Sequence, residues 1–195
     1  NVAADFAFAD DNKTVFYLKL QPGTARSYRL VRHVLGSDAK GDKTVYEEKD
    51  EQFDLSLKRS KGGRVLMLTS DQTNTTEVRV LDTAKSDGTW AVMRPRANGV
   101  RYTADEAGGQ YYVLTNFSAP DYRVMTAPVG TQAAWSDMVA HQPGVFIESF
   151  EVMGGSIALN EYAKGGARIR VHNIASGAER MVPMDDPAGY ASCSD

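Results

Sequence analysis

DKTVYEEKDEQFDLSL, residues 42–57, holds two short alternating runs on either side of a knot of charge. Glu47, Glu48, Asp50 and Glu51 crowd around Lys49. Period-two alternation marks a strand with one face buried. The stretch therefore reads as an acidic site or as the polar corner between two strands. The sequence on either side decides between them.

Outward from this point the same period recurs. TVFYLKL (14–20), SYRLVRHVL (27–35), FDLSLKR (53–59), RVLMLTS (64–70), TEVRVLD (76–82), QYYVLTN (110–116) and ARIRVHN (167–173) all read as strands rich in Val, Leu and Tyr. Turn pairs separate them, among them Pro22-Gly23, Gly62-Gly63, Asp87-Gly88, Gly108-Gly109, Gly154-Gly155 and Gly165-Gly166. The one stretch with a helical look, TQAAWSDMVAH (131–141), is short and reads as a turn leading into a strand.

The strands group in fours, and corresponding strands recur at a spacing of roughly 45–50 residues, the period of propeller blades. Polar links separate the second and third strands of each set: QPGTAR, SDQTNTT, NFSAPDY and YAKGG. The expected fold is all-β: a β-propeller fragment of about four blades, each of four antiparallel strands. The blades are placed at 3–50, 51–98, 99–143 and 144–184, with 185–195, DDPAGYASCSD, as the start of a further blade. In this arrangement 47–52 is a crossing between blades. Its carboxylates are expected to lie in water, which screens them. End blades cut from a larger ring would expose apolar faces, so an open arc prone to self-association is expected.

Bulk properties exclude several classes. A net charge of −3 offers no electrostatic ground for binding nucleic acid or an anionic membrane. No apolar run approaches the ~18 residues of a membrane span. The start, NVAADFAFADDNK, lacks the basic and apolar regions of a signal peptide, and without an initiator Met the chain is expected to be processed, truncated or preceded by a disordered start. The single cysteine, Cys193, excludes an internal disulfide and points to a reducing compartment. The expected location is cytoplasmic, with the periplasm as the alternative.

HVLGSDAKGDKTVYEEKDEQFDLSL (33–57) resembles the propeller of oligopeptidase B (protease II), in the prolyl oligopeptidase family of serine peptidases. His33, Leu35, Gly36, Asp42, Val45, Tyr46, Glu47, Glu48, Asp50 and Phe53 carry the resemblance. It continues in order through TTEVRVLD (75–82), RPRANGVRYTAD (94–105), YYVLTN (111–116) and MDDPAGY (184–190). One departure stands out. Where the family's fourth blade reads Glu-Glu-Arg, this chain has Asn160, Glu161 and Tyr162. The resemblance implies a seven-bladed propeller that caps an α/β-hydrolase domain. That domain would hold the Ser-Asp-His triad, and the propeller would admit only small peptides. Cleavage after Arg or Lys is implied, through acidic pockets largely on the hydrolase side.

Catalytic chemistry is not expected within this chain. A nucleophile elbow needs G-x-S-x-G between a strand and a helix. Gly154-Gly155-Ser156 supplies half of it, and Ile157-Ala158 do not finish it. His33, His141 and His172 lack neighbours at metal-ligand spacing. Trp90, Trp135, Tyr111 and Tyr112 suit blade packing better than base stacking. No catalytic, cofactor-binding or metal-binding residue is assigned, and no cofactor is expected. The expected partners are the parent chain's hydrolase domain and oligopeptide substrates, with no nucleic acid and no membrane. Two alternatives stay open: a closed four-bladed propeller that binds a ligand or protein on its axis, and the propeller of a proline-specific prolyl oligopeptidase.

Overall fold

A computed structural model describes residues 2–183. The segment 185–195 and Cys193 fall outside the described residues. Among the described residues sixteen strands form four separate antiparallel sheets, each in simple up-and-down order. The first sheet holds β1 (Val2–Phe8), β2 (Thr14–Leu20), β3 (Ser27–Val34) and β4 (Lys43–Glu47). The second holds β5 (Asp54–Arg59), β6 (Val65–Gln72), β7 (Thr75–Asp82) and β8 (Ala91–Val92). The third holds β9 (Tyr102–Ala107), β10 (Gln110–Thr115), β11 (Arg123–Pro128) and β12 (Ser136–Val139). The fourth holds β13 (Val145–Met153), β14 (Ser156–Ala163), β15 (Gly166–Asn173) and β16 (Glu179–Met181). This is the all-β propeller fragment that the sequence periodicity implies. The 131–141 stretch is a turn followed by β12, as expected.

Several hairpins are set by glycine. Gly108-Gly109 joins β9 to β10 with φ of 61° and 79°, and Gly154-Gly155 joins β13 to β14 with φ of 47° and 83°. Two consecutive left-handed residues make the tight turn whose twist matches the flanking strands. Lys164-Gly165 makes the same turn between β14 and β15, with a lysine accepting φ 51°.

Packing between sheets explains the composition of the strands. In β10, Tyr111 and Val113 point into a core shared with the second sheet's Val65, Met67, Val78 and Val80. Tyr112 and Leu114, the alternate residues, point into a core shared with the fourth sheet's Ile147, Ile157 and Leu159. β6 divides likewise: Leu66 and Leu68 face the first sheet, and Val65 and Met67 face the third. A strand sandwiched between two neighbours must be apolar on both faces, so it reads as a continuous run. The second strand of the first sheet, β2, has a packed sheet against only one of its faces among the described residues. Its Phe16 and Leu18 are buried, whereas Val15, Tyr17 and Lys19 are only half-buried. Trp90 packs edge-on to Phe16 at 5.5 Å, and Trp135 edge-on to Tyr102 at 5.0 Å, so both tryptophans serve blade packing.

The crossing at 47–52 is only partly the solvated corner anticipated from sequence. Glu47, Lys49, Asp50 and Glu51 are exposed, but Glu48 is buried. Its carboxylate accepts from Arg96 Nη2 at 2.6 Å, the Tyr46 hydroxyl at 2.9 Å and the Asp50 N–H at 3.1 Å. Arg96 also lies over the Phe53 ring at 4.1 Å, and its N–H donates to Glu77 Oε2 at 3.1 Å. Glu48 thus ties the crossing between the first two sheets to the one between the second and third. Arg26 completes the corner by donating to the carbonyls of Phe53, Glu48 and Asp50 at 2.7, 3.0 and 2.7 Å. A buried carboxylate is tolerated here because each lone pair has a donor.

Burial alone would raise the Glu48 carboxyl, but the Arg96 guanidinium, the Asp50 N–H and the Tyr46 hydroxyl hold it below its ordinary value of 4.5. A depressed carboxyl contributes stability that is complete above its unfolded value and is lost as pH falls through the folded one. Glu48→Ala should lower unfolding stability by about 3 kcal/mol at pH 7, since it strands Arg96 and the Tyr46 hydroxyl. Denaturant titrations of wild type and Glu48→Gln should differ by a constant amount above about pH 5, and the gap should shrink below pH 4.5. A pH-independent gap would show that the carboxylate charge does not fasten the crossing.

Candidate functional site

The first strands of the four sheets converge, and their polar side chains meet there. Asp5 of β1 accepts from the Leu57 N–H of β5 at 3.2 Å. Lys58 of β5 pairs with Asp105 of β9 at 3.1 Å. Lys61, in the hairpin after β5, pairs with Glu151 of β13, and its N–H donates to Asp105 at 2.9 Å. The hairpin comes close to the third sheet at Gly62, whose N–H donates to the Glu106 carbonyl at 2.6 Å. A β-carbon at Gly62 would stand 2.9 Å from the Ala107 backbone, so only glycine fits without a shift. This end of the inner rim is a polar arc in which Lys58, Lys61, Asp105 and Glu151 pair with one another and Asp5 with a backbone N–H.

The opposite end of the rim carries a cleft of about 210 Å³ between the second, third and fourth sheets. Arg101 and Thr103 line it from the start of β9, Tyr122 from the link before β11, and Phe146 and Glu148 from β13. Phe146 is 39% exposed, and Tyr122 stands edge-on to it at 5.5 Å. Arg101 pairs with Asp71 at 3.2 Å. Glu148 is exposed and makes no hydrogen bond or ion pair among the described residues. Tyr122 has φ 68°, a left-handed conformation that costs a bulky residue roughly 1–2 kcal/mol. Neighbouring bonds enforce it. The Tyr122 N–H donates to the Ala119 carbonyl at 2.8 Å, and the Asp121 carbonyl accepts from the Ile147 N–H at 3.0 Å. Such strain collects at ligand clamps and switch regions. Phe146 and Glu148 were not singled out from sequence. Their signal is the FIES run, whose alternation places both on one side of β13 while Val145 and Ile147 are buried.

The residues weighed from sequence lie apart from this cleft. Ser156 opens β14 directly after a hairpin, and the strand runs on to Ala163, so no strand-to-helix elbow surrounds it. His33 Nδ1 lies 2.6 Å from Asp42 Oδ1, and the Tyr17 hydroxyl donates to the other oxygen at 2.7 Å. Burial, then the hydrogen bond to Asp42, pushes the Tyr17 hydroxyl up to about 12. Burial opposes ionisation of Asp42, but Tyr17 and His33 hold its carboxyl below the usual range. His141 Nε2 lies 3.3 Å from Asp121, and His172 Nδ1 lies 3.1 Å from Glu179. Among the described residues no group of three or more His, Cys, Asp or Glu could hold a metal ion, and no helix is long and apolar enough to cross a membrane. At the fourth-sheet departure, Glu161 is fully buried and accepts from Arg168 Nε and Arg170 Nε, each at 2.8 Å. Asn160 donates to Ser149 Oγ at 2.7 Å, and Tyr162 is 38% exposed. Glu161 thus has two arginine partners from β15.

Comparison with known proteins agrees with this architecture. Residues 1–194 match the family model described as the prolyl oligopeptidase N-terminal beta-propeller domain. The chain is 34% identical over 191 residues to a protein named dipeptidyl aminopeptidase BI from Pseudoxanthomonas mexicana, covering 96% of this chain and 26% of the relative. It is 23% identical over 162 residues to Protease 2 of Moraxella lacunata, covering 83% of this chain and 23% of that relative. Among solved structures, oligopeptidase B from Leishmania major superposes with a TM-score of 0.83 at 28% identity, covering 94% of this chain and 27% of that one. The chain spans about a quarter of the length of the curated relatives it matches. Among the described residues the cores lie between consecutive sheets, as in a propeller, and the chain belongs to the prolyl oligopeptidase family through its N-terminal β-propeller domain.

Proposed function

We propose that this chain is the non-catalytic, gating part of a longer serine peptidase that hydrolyses small peptides after Arg or Lys. The observation that carries the proposal is the match of residues 1–194 to the propeller alone, with no nucleophile elbow in it. The likeness to Leishmania major oligopeptidase B, at 28% identity, supports the basic specificity. In this reading the propeller docks on an α/β-hydrolase domain of the parent and excludes folded proteins by size. The parent acts in the cytoplasm, with the periplasm as the alternative.

A second reading, removal of dipeptides from peptide N-termini, is favoured by the name of the Pseudoxanthomonas mexicana relative. The Asn160 and Tyr162 departure also fits a substrate preference different from the basic one. A closed four-bladed binding module is disfavoured. A closed ring of four needs four shared cores, and the described residues supply three. Phe6 and Phe8, which a fourth core would cover, are 62% and 38% exposed. The same surface would drive self-association of the chain in isolation.

The test is hydrolysis by the full-length gene product. Internally quenched peptides of about ten residues with Arg or Lys before the scissile bond should be cut, and a folded protein containing the same sequence should not. This chain alone should be inert on both. Release of N-terminal dipeptides irrespective of a basic residue would favour the second reading. A gene product that ends near Asp195, or one that cuts no peptide, would overturn the peptidase assignment.

A further inference from the structure

The cleft at the crossing end of the rim has a composition that selects a ligand. Glu148 is an exposed carboxylate without a partner among the described residues, on the wall of a concave site of about 210 Å³. Phe146 and Tyr122 stand beside it as an edge-to-face aromatic pair. Arg101, the basic group of the cleft, is already matched by Asp71. The uncompensated charge of the site is therefore negative. A carboxylate beside aromatic rings suits a cationic group carried on an apolar stem: the charge pairs with the carboxylate, and the stem and cation lie against the rings. An anion would be repelled by Glu148, and a neutral apolar group would cover its charge without pairing it. The volume admits one side chain or one chain end and excludes a folded domain. Tyr122 keeps its ring in place through a backbone held against its own preference, which is the cost of a preformed wall.

We infer that this cleft is a propeller-borne subsite for one cationic group of an oligopeptide, with Glu148 as its charge partner and Phe146 and Tyr122 as its walls. The inference rests on the peptidase reading above and adds to it a specificity element within the propeller. Two parts of a peptide share the required chemistry: an Arg or Lys side chain, and a free N-terminal amine.

The experiment uses the full-length gene product, its Glu148→Gln and Phe146→Ala variants, and Glu47→Gln as a control on an exposed carboxylate paired elsewhere with Arg29. Each is assayed on three matched peptides: one with a free amine and a second basic side chain away from the scissile bond, the same peptide N-acetylated, and the same peptide with citrulline at that second position. Wild type should prefer the peptide that carries the cation. Glu148→Gln should reduce the ratio of kcat/KM for cationic over neutral peptide about tenfold, the loss typical of a charged hydrogen bond, through KM rather than kcat. Phe146→Ala should reduce the same ratio, and Glu47→Gln should keep it. If acetylation abolishes the preference, the ligand is the N-terminal amine; if citrulline abolishes it, the ligand is the side chain. A ratio unchanged in Glu148→Gln, in an enzyme that still cuts peptides, overturns the subsite while leaving the peptidase assignment intact. An enzyme that cuts none of the peptides overturns both.

Discussion

A sheet buried on both faces cannot stand alone, and this requirement organises the whole molecule. Each middle strand alternates its side chains between two different cores. Tyr111 and Val113 belong to one, and Tyr112 and Leu114 to the other. Every interior sheet therefore needs two neighbours, and the described residues satisfy this for the second and third sheets. The first sheet has one neighbour, and Val2, Phe6 and Phe8 remain exposed on its other side. At roughly 25 cal/mol per Å² of apolar surface, such a face is a standing drive toward a further sheet. In the function proposed above, the natural occupant is the rest of a larger propeller.

Much of this was legible in the residues. Period-two runs and glycine pairs located the strands, because strand alternation and left-handed turns depend on local chemistry. The spacing of sets of four strands then implied blades. Glu48 was not legible. It sits among four other charged residues, and composition argues that all of them are solvated. Only the fold brings Arg96, forty-eight residues away, onto its carboxylate. The cleft was missed for a related reason. Arg101, Tyr122 and Glu148 come from three separate segments, and only the fold brings them to one cleft. The Tyr122 strain leaves no mark in sequence, since Tyr is an ordinary residue wherever φ is negative.

Polar groups divide the labour between the two ends of the inner rim. At the hairpin end, Lys58, Lys61, Asp105 and Glu151 satisfy one another across sheets. At the crossing end, Glu48 and Arg96 are consumed in fastening the blades, while Glu148 has no partner among the described residues. Glu148 is the group on which the inferred subsite rests.

The central claim is that the open face of the first sheet is completed by more of the same protein. Hydroxyl-radical footprinting of the full-length gene product, read by mass spectrometry, tests it directly. Phe6 and Phe8 should be oxidised as slowly as Phe16, which is 1% exposed within this chain. Oxidation of Phe6 at the rate of a freely exposed phenylalanine would show that nothing covers this face, and would contradict the account.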